Sequence, residues 1–203
     1  MDEQIKLLIS KALDALRICE NRNIPKFVGF LSPGEAAAVA CATTIKKNVT
    51  FFGGYEDAER RFFGALPEYL EDDLCCFPIK ALKISFNGNF SLTHRDVLGA
   101  FMSTGVSRAT VGDILIFDSE VFVFVFDEMA EYFKNQINKI KNVGVSITVL
   151  ESLSDVPERN ADEMEEFKFT VSSPRLDAVV SKLIGQSRTV SEKLIAACAE
   201  VLD

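Results

Sequence analysis

The run Val121-Phe122-Val123-Phe124-Val125-Phe126 leaves a chain few ways to fold. Alternating β-branched and aromatic side chains suit a pleated strand, in which successive residues point to opposite faces. Three phenylalanines then cover one face and three valines the other, so neither face suits water. A strand of this kind is expected inside a sheet that is covered on both sides. Base stacking on the phenylalanine face is the competing use. The run, however, lacks the basic-glycine-aromatic signature of a standard RNA-recognition strand.

The surrounding sequence supplies the rest of a unit over residues 79–151. Ile79 to Phe86 alternates like a half-buried strand and runs into the turn-forming Asn87-Gly88-Asn89. Thr93 and Asp96 form a capping box, which predicts a helix stopped near Gly105. A strand over 113–117 follows, then a turn at Asp118-Ser119, the Val/Phe strand over 121–126, and a helix capped by Asp127 that runs to about Lys141. Val145 to Leu150 closes the series as a strand. The order strand, helix, strand, strand, helix, strand is the split arrangement of ferredoxin-like and RNA-recognition folds, expected as a mixed sheet with two helices on one face. Enzymes, ligand sensors and RNA binders all use it, so topology alone names no function.

Residues 1–78 read as a helical and mixed region, and the class of the whole is α+β. Ile5, Leu8, Ile9, Ala12, Leu13 and Leu16 mark an amphipathic first helix. Ser32-Pro33-Gly34-Glu35 is a second capping box, opening a helix to about Lys46, and Val49 to Phe52 is a strand. Gly53-Gly54 breaks that strand at a turn needing unusual backbone angles, and Glu56 to Arg61 suggests a short helical turn. Gly53-Gly54-Tyr55 has neither the Lys-Ser/Thr ending of a P-loop nor dinucleotide-loop spacing, so no nucleotide site is expected. Residues 152–171 form an acidic linker with a strand at Phe167 to Val171. Residues 172–203 carry two short helices, the first begun by Pro174 and ended by Gly185, the second capped by Ser187 or Thr189. Leu194, Ile195, Cys198 and Leu202 are its possible buried positions.

A net charge of −8 and a pI near 4.8 argue at first sight against a nucleic-acid partner. The distribution of charge along the chain removes that objection. Residues 1–150 hold 19 acids and 16 bases, 151–171 hold 7 and 2, and 172–203 hold 4 and 4. The excess thus falls on a connector with Glu158, Asp162, Glu163, Glu165 and Glu166, which reads as solvated linker. Five cysteines, with Cys75 and Cys76 adjacent, fit neither a redox CxxC nor zinc spacing; reduced, mostly buried thiols are expected, with no metal and no cofactor. No apolar run approaches a membrane span, and Met1-Asp2-Glu3 is acidic where a secretory signal would be basic. A cytoplasmic protein without a membrane partner is expected.

Ser172-Ser173-Pro174-Arg175-Leu176-Asp177, followed by Ser187-Arg188 and a helix to Leu202, resembles the alpha-L RNA-binding motif first known in a small-subunit ribosomal protein. Arg175 and Arg188 would stand at successive helix starts, where guanidinium donors beside helix N-termini engage phosphate. Asp177 is expected to pair with a nearby base or a helix-start amide. Ser187, Lys182 and Lys193 join the two arginines as candidate RNA contacts. The family motif continues into strands, whereas this sequence ends at Asp203, so a partial motif is expected. Upstream, Phe52 to Arg60, Leu92 to Ala100 and Val111 to Ile114 are similar to N-terminal signatures of the YlmH family.

That resemblance implies a bacterial, non-catalytic protein that binds ribosomal RNA or tRNA on the large ribosomal subunit, in translation quality control or rescue of stalled nascent chains, with no DNA partner. Arg60, Arg61, His94 and Arg95 are further candidate RNA contacts. His94-Arg95-Asp96 also looks like an acid-base set, but Thr93 and Asp96 already have a capping role and the single histidine has no identified nucleophile. Two alternatives remain open at this point: an RNA-modifying enzyme with an appended alpha-L motif, and a ligand-sensing ferredoxin-like domain.

Overall fold

The computed structural model describes residues 3–43, 48–70, 73–87, 90–157, 169–171, 173 and 175–200. The chain divides into two compact units, Met1–Glu158 and Arg159–Asp203.

In the first unit, α1 (Glu3–Arg22) buries Ala12, Ala15, Leu16 and Cys19, a stripe at helical spacing. Leu13 was expected on that stripe but turns about 100° away from Ala12 and is 40% exposed. Strands β1 (Lys26–Leu31), β2 (Val49–Phe52) and β3 (Arg61–Ala65) form an antiparallel sheet in the order β1-β3-β2. The helical turn expected over Glu56 to Arg61 is instead a tight turn feeding β3. Helix α2 (Pro33–Thr43) starts at the predicted capping box: Glu35 Oε2 accepts from Ser32 N at 2.7 Å and from Ser32 Oγ at 2.9 Å. It is described to Thr43, and residues 44–47 lie outside the described residues.

The second sheet comprises β4 (Ile79–Phe86), β5 (Val111–Ile116), β6 (Glu120–Phe126), β7 (Lys139–Ile140) and β8 (Val143–Val149), in the order β5-β6-β4-β8-β7. Helix α3 (His94–Met102) joins β4 to β5, and α4 (Ala130–Gln136) lies between β6 and the short β7. The strand and helix order is the expected split one, but the sheet is antiparallel throughout rather than mixed. The reason is interleaving. The crossover through α3 links β4 and β5, which run parallel with β6 inserted between them; β6 and β8 likewise flank β4.

Strand β6 is interior, and each of its faces meets a different core. Val121, Val123 and Val125 pack in one cluster with Val97 and Phe101 of α3 and Phe133 of α4. Phe122 and Phe124 pack with Phe30 of β1, Phe62 of β3 and Phe77. A third cluster joins α1 and α2 to the far side of the small sheet through Leu16, Val39, Leu31 and Phe63. The first unit is therefore four layers: two helices, a three-stranded sheet, a five-stranded sheet and two helices. The boundary between the subdomains 1–78 and 79–151 is a change of sheet inside one compact unit, because Phe30 and Phe62 share a core with Phe122 and Phe124.

Other expectations need adjusting. Asp127 makes no side-chain cap; Asp127–Met129 is a 3-10 turn, and α4 stops at Gln136 because Ile137 is already extended (φ −103°, ψ 101°). Lys139 and Ile140 then form β7 instead of continuing a helix, and Lys141 (φ 52°) makes the turn into β8. Cys19 is buried and its thiol is pushed up by that burial and by Glu20, but Cys41 and Cys75 are exposed and Cys76 is intermediate, so the thiols are not mostly buried. Gly88 and Asn89 of the predicted turn lie outside the described residues, as do the acidic residues 158–168 of the linker.

The second unit consists of α5 (Leu176–Ile184) and α6 (Arg188–Glu200). Gly185 ends α5 in the left-handed conformation (φ 64°), and Ser187 Oγ accepts from Val190 N at 3.4 Å at the start of α6. Pro174 lies outside the described residues, so the start of α5 is seen at Leu176. Of the strand expected over Phe167 to Val171, the first two residues lie outside the described ones and Phe169 to Val171 form no strand. Leu194 is 47% exposed, against expectation, whereas Ile195 is half-buried; the Cys198 side chain and Leu202 are outside the described residues.

Candidate nucleic-acid interface

In the second unit Arg175 is the residue that caps α5 and Arg188 opens α6. Asp177 ties them into one arrangement. Arg175 Nε donates to Asp177 Oδ1 at 2.9 Å, with the arginine side chain 67% exposed and the aspartate 10%. The hydrogen bond from Arg175 holds the Asp177 carboxyl below its ordinary range, burial opposes, and the charge of Arg188 adds to the lowering. Arg175 Nη2 is also 4.0 Å from Glu192 Oε1. The sequence-based pairing of Asp177 with a base is thus present. Ser187, Lys182 and Lys193 are exposed, and Ser191 Oγ donates to Ser187 O at 3.2 Å.

In the first unit the two signature stretches Phe52 to Arg60 and Val111 to Ile114 meet at Asp113. Its Oδ2 accepts from Tyr55 Oη at 3.0 Å and from Glu59 N at 2.7 Å, and its Oδ1 accepts from Arg60 N at 3.1 Å. Arg60, named from the sequence as a candidate RNA contact, turns to the main chain: its Nε donates to Val111 O at 3.2 Å and its Nη2 to Phe30 O at 2.8 Å. Arg108 donates to Val111 O as well, and to Gly112 O at 3.4 Å. Burial lowers the pKa of Arg60, against the pull of Glu35 and Asp113; burial and the charge of Arg60 lower that of Arg108 to about 10. Arg60 therefore braces β1 against β5 through its Nε and Nη2. Arg61 directs its Nε to Ala58 O at 2.6 Å.

The glycines before this turn have separate reasons. Gly54 has φ 107°, and an added Cβ would lie 2.4 Å from the Phe124 ring; a Cβ on Gly53 would lie 2.3 Å from Arg60 O. Unusual backbone angles account for Gly54, and close approach accounts for Gly53. An acid at Asp113 in an otherwise apolar strand was the sequence signal that could have revealed the brace.

At the start of α3, Thr93 and Asp96 complete the predicted capping box. Asp96 Oδ2 accepts from Thr93 N at 3.0 Å, and Asp96 Oδ1 lies 2.7 Å from Lys141 Nζ. These contacts, that of Lys141 first, hold the Asp96 carboxyl down at about 2. His94 and Arg95 are exposed. Beside them runs an open groove of about 430 Å³ lined by Arg95, Gly99, Ser103, Gln136, Lys139 and Lys141 among others. Lys139 and Lys141 were missed because a helix running to about Lys141 would make them ordinary solvated positions; Lys141-Asn142 before an apolar alternation was the available turn signal. Among the described residues, no group of three or more His, Cys, Asp or Glu side chains is placed to hold a metal ion, and no helix is long and apolar enough to cross a membrane.

Comparison with known proteins bears on this arrangement. A family profile described as "Putative RNA-binding domain in YlmH" matches residues 73–154, the span of the five-stranded sheet and its helices. The chain is 32% identical over 194 residues to the ribosome-associated protein quality control protein P2 of Bacillus subtilis (strain 168), covering 94% of this chain and 74% of that protein. Among solved structures, the cell division protein ylmH from Streptococcus pneumoniae has a similar fold, with a TM-score of 0.61 at 18% identity over 77% of this chain and 97% of that one.

Proposed function

This chain belongs to the YlmH family, and from that membership we propose that it is an RNA-binding protein acting at the ribosome and catalysing no reaction of its own. The observation that carries the reading is the shared carboxylate of the second unit. Arg175 and Arg188 stand at the starts of two successive helices and both bear on Asp177. A guanidinium anchored through Nε is pre-oriented, and its remaining donors beside a helix N-terminus suit phosphate oxygens. Lys182, Lys193 and Ser187 extend this set, and Arg61, His94 and Arg95 are contacts on the first unit.

The finer reading is ribosomal RNA or tRNA on the large subunit, during rescue of stalled nascent chains in the cytoplasm. It is supported by the name of the Bacillus relative, a ribosome-associated quality-control protein. The binding role is favoured over chemistry by the setting of His94, next to an aspartate already engaged by Thr93 and Lys141.

The test is the Arg175→Gln/Arg188→Gln double variant, titrated against large-subunit RNA, tRNA and intact ribosomes at several salt concentrations after circular dichroism confirms folding. Each lost phosphate contact is expected to reduce the magnitude of the log-affinity against log-salt slope by about 0.7–0.9. Unchanged affinity and slope in the folded variant would remove these arginines from the RNA site.

A further inference from the structure

The groove along α3 has a composition that the rest of this acidic chain does not predict. Arg95, Lys139 and Lys141 converge on it, from the first turn of α3 and from the β7 hairpin. Against these three cations the lining sets one carboxylate, Asp96, whose two oxygens already face Lys141 and Thr93. Arg95 and Lys139 are exposed and form no ion pair among the described residues. Lys141 keeps 63% of its side chain exposed while paired.

The shape of the groove is as telling as its charge. Along its length α3 presents Gly99, Ala100 and Ser103, and a Cβ added at Gly99 would meet nothing within 4 Å. Small side chains leave the helix surface low, so that an extended polymer can lie against it with cations on its flanks. Gln136 at the end of α4 adds a neutral amide donor, while Ser103 Oγ and Thr104 Oγ1 donate to the helix at 2.7 Å and keep lone pairs to accept from a ribose hydroxyl. The lining has no large exposed apolar side chain: its one large apolar residue, Ile137, is 5% exposed. A protein partner would lack the aromatic or aliphatic anchor on which interface energy concentrates. A phosphodiester chain needs no such anchor, since neutralised phosphates release counterions and supply most of the affinity.

We infer that this groove is a second RNA contact, on the first unit, which takes the sugar-phosphate backbone through Arg95, Lys139 and Lys141. It rests on the RNA-binding reading above and adds to it a site independent of the C-terminal arginines. Backbone contact of this kind positions the protein on RNA of many sequences and carries no base readout.

Two variants test the site by different physics. Arg95→Gln/Lys139→Gln removes two cations and leaves the Asp96 to Lys141 pair intact. Gly99→Glu places a carboxylate in the open groove, at a helix position where glycine is the poorer helix former, so thermal stability is expected to hold or rise. Titrated against large-subunit RNA, the double variant is expected to bind about tenfold more weakly near 0.15 M salt, with the slope magnitude reduced by roughly 1.4–1.8. Gly99→Glu is expected to weaken binding at least as much, with a melting temperature that holds or rises. Unchanged RNA affinity and slope in both folded variants would overturn the groove assignment, and if Arg175→Gln/Arg188→Gln weakens binding in the same series, the RNA-binding reading survives that loss. Groove variants that keep RNA affinity but no longer associate with intact ribosomes would assign the groove to a ribosomal protein instead, also overturning the inference. A wild-type protein that binds none of these RNAs would sink the functional reading itself.

Discussion

Arg60 shows how a charged side chain can be committed to the fold. Its guanidinium donates to main-chain carbonyls on β1 and β5, so Arg60→Gln should leave Phe30 O without its charged donor, while Val111 O keeps that from Arg108. Hydrogen bonds from charged groups stabilise by about 1.5–3 kcal/mol each, and a net loss of about 2 kcal/mol in urea unfolding is expected, with the RNA salt slope unchanged. A slope that falls while stability holds would return Arg60 to the surface. Asp96 gives a second residue-scale prediction. Its carboxyl titrates at about 2 in the folded chain, below its ordinary 3.8, so the folded state takes up that proton less readily than the unfolded chain. The contribution is therefore complete above about pH 4 and is lost as pH falls toward 2. Melting temperatures measured across that window should fall less steeply in Asp96→Asn than in the wild type.

At the scale of elements, β6 and the turn at Gly53-Gly54 form one fitted contact. Phe124 is fully buried, and Phe124→Ala should cost about 3–5 kcal/mol through the cavity it leaves. Gly54→Ala should also destabilise strongly, since its Cβ would press on the same ring from a backbone with φ 107°. A melting temperature unchanged in Gly54→Ala would mean that the turn can shift away from the strand. The elements legible in the sequence were those specified locally: the Val/Phe alternation of β6, and the capping boxes of α2 and α3. Strands β1 and β3 were not legible because Gly29 and Gly64 interrupt their apolar pattern, and the end of α4 was not because Lys139 and Lys141 fit a helical face as well as a hairpin. The antiparallel order depends on which strand slips between two others, which no local pattern encodes. The same division holds for the sites. Arg175, Asp177 and Arg188 were singled out by the resemblance of one short segment to the alpha-L motif, whereas the groove needed the true end of α4.

At the scale of the molecule, the two sheets of the first unit share one aromatic layer. Phe30 and Phe62 come from before residue 78, and Phe122 and Phe124 from after it. Neither 1–78 nor 79–157 can bury that layer alone, so the separate pieces should give poorly dispersed amide spectra and no cooperative melt, and mixing them should restore both. Two independently folded pieces would contradict the shared core. The interior place of β6 has a kinetic consequence as well. Its backbone N–H groups are paired to β4 and β5 and lie beneath side-chain layers on both faces. Fraying at a sheet edge cannot reach them, so their exchange with deuterated solvent should follow the global unfolding equilibrium, whereas the β7 hairpin beside the groove should exchange through small local openings many orders of magnitude sooner.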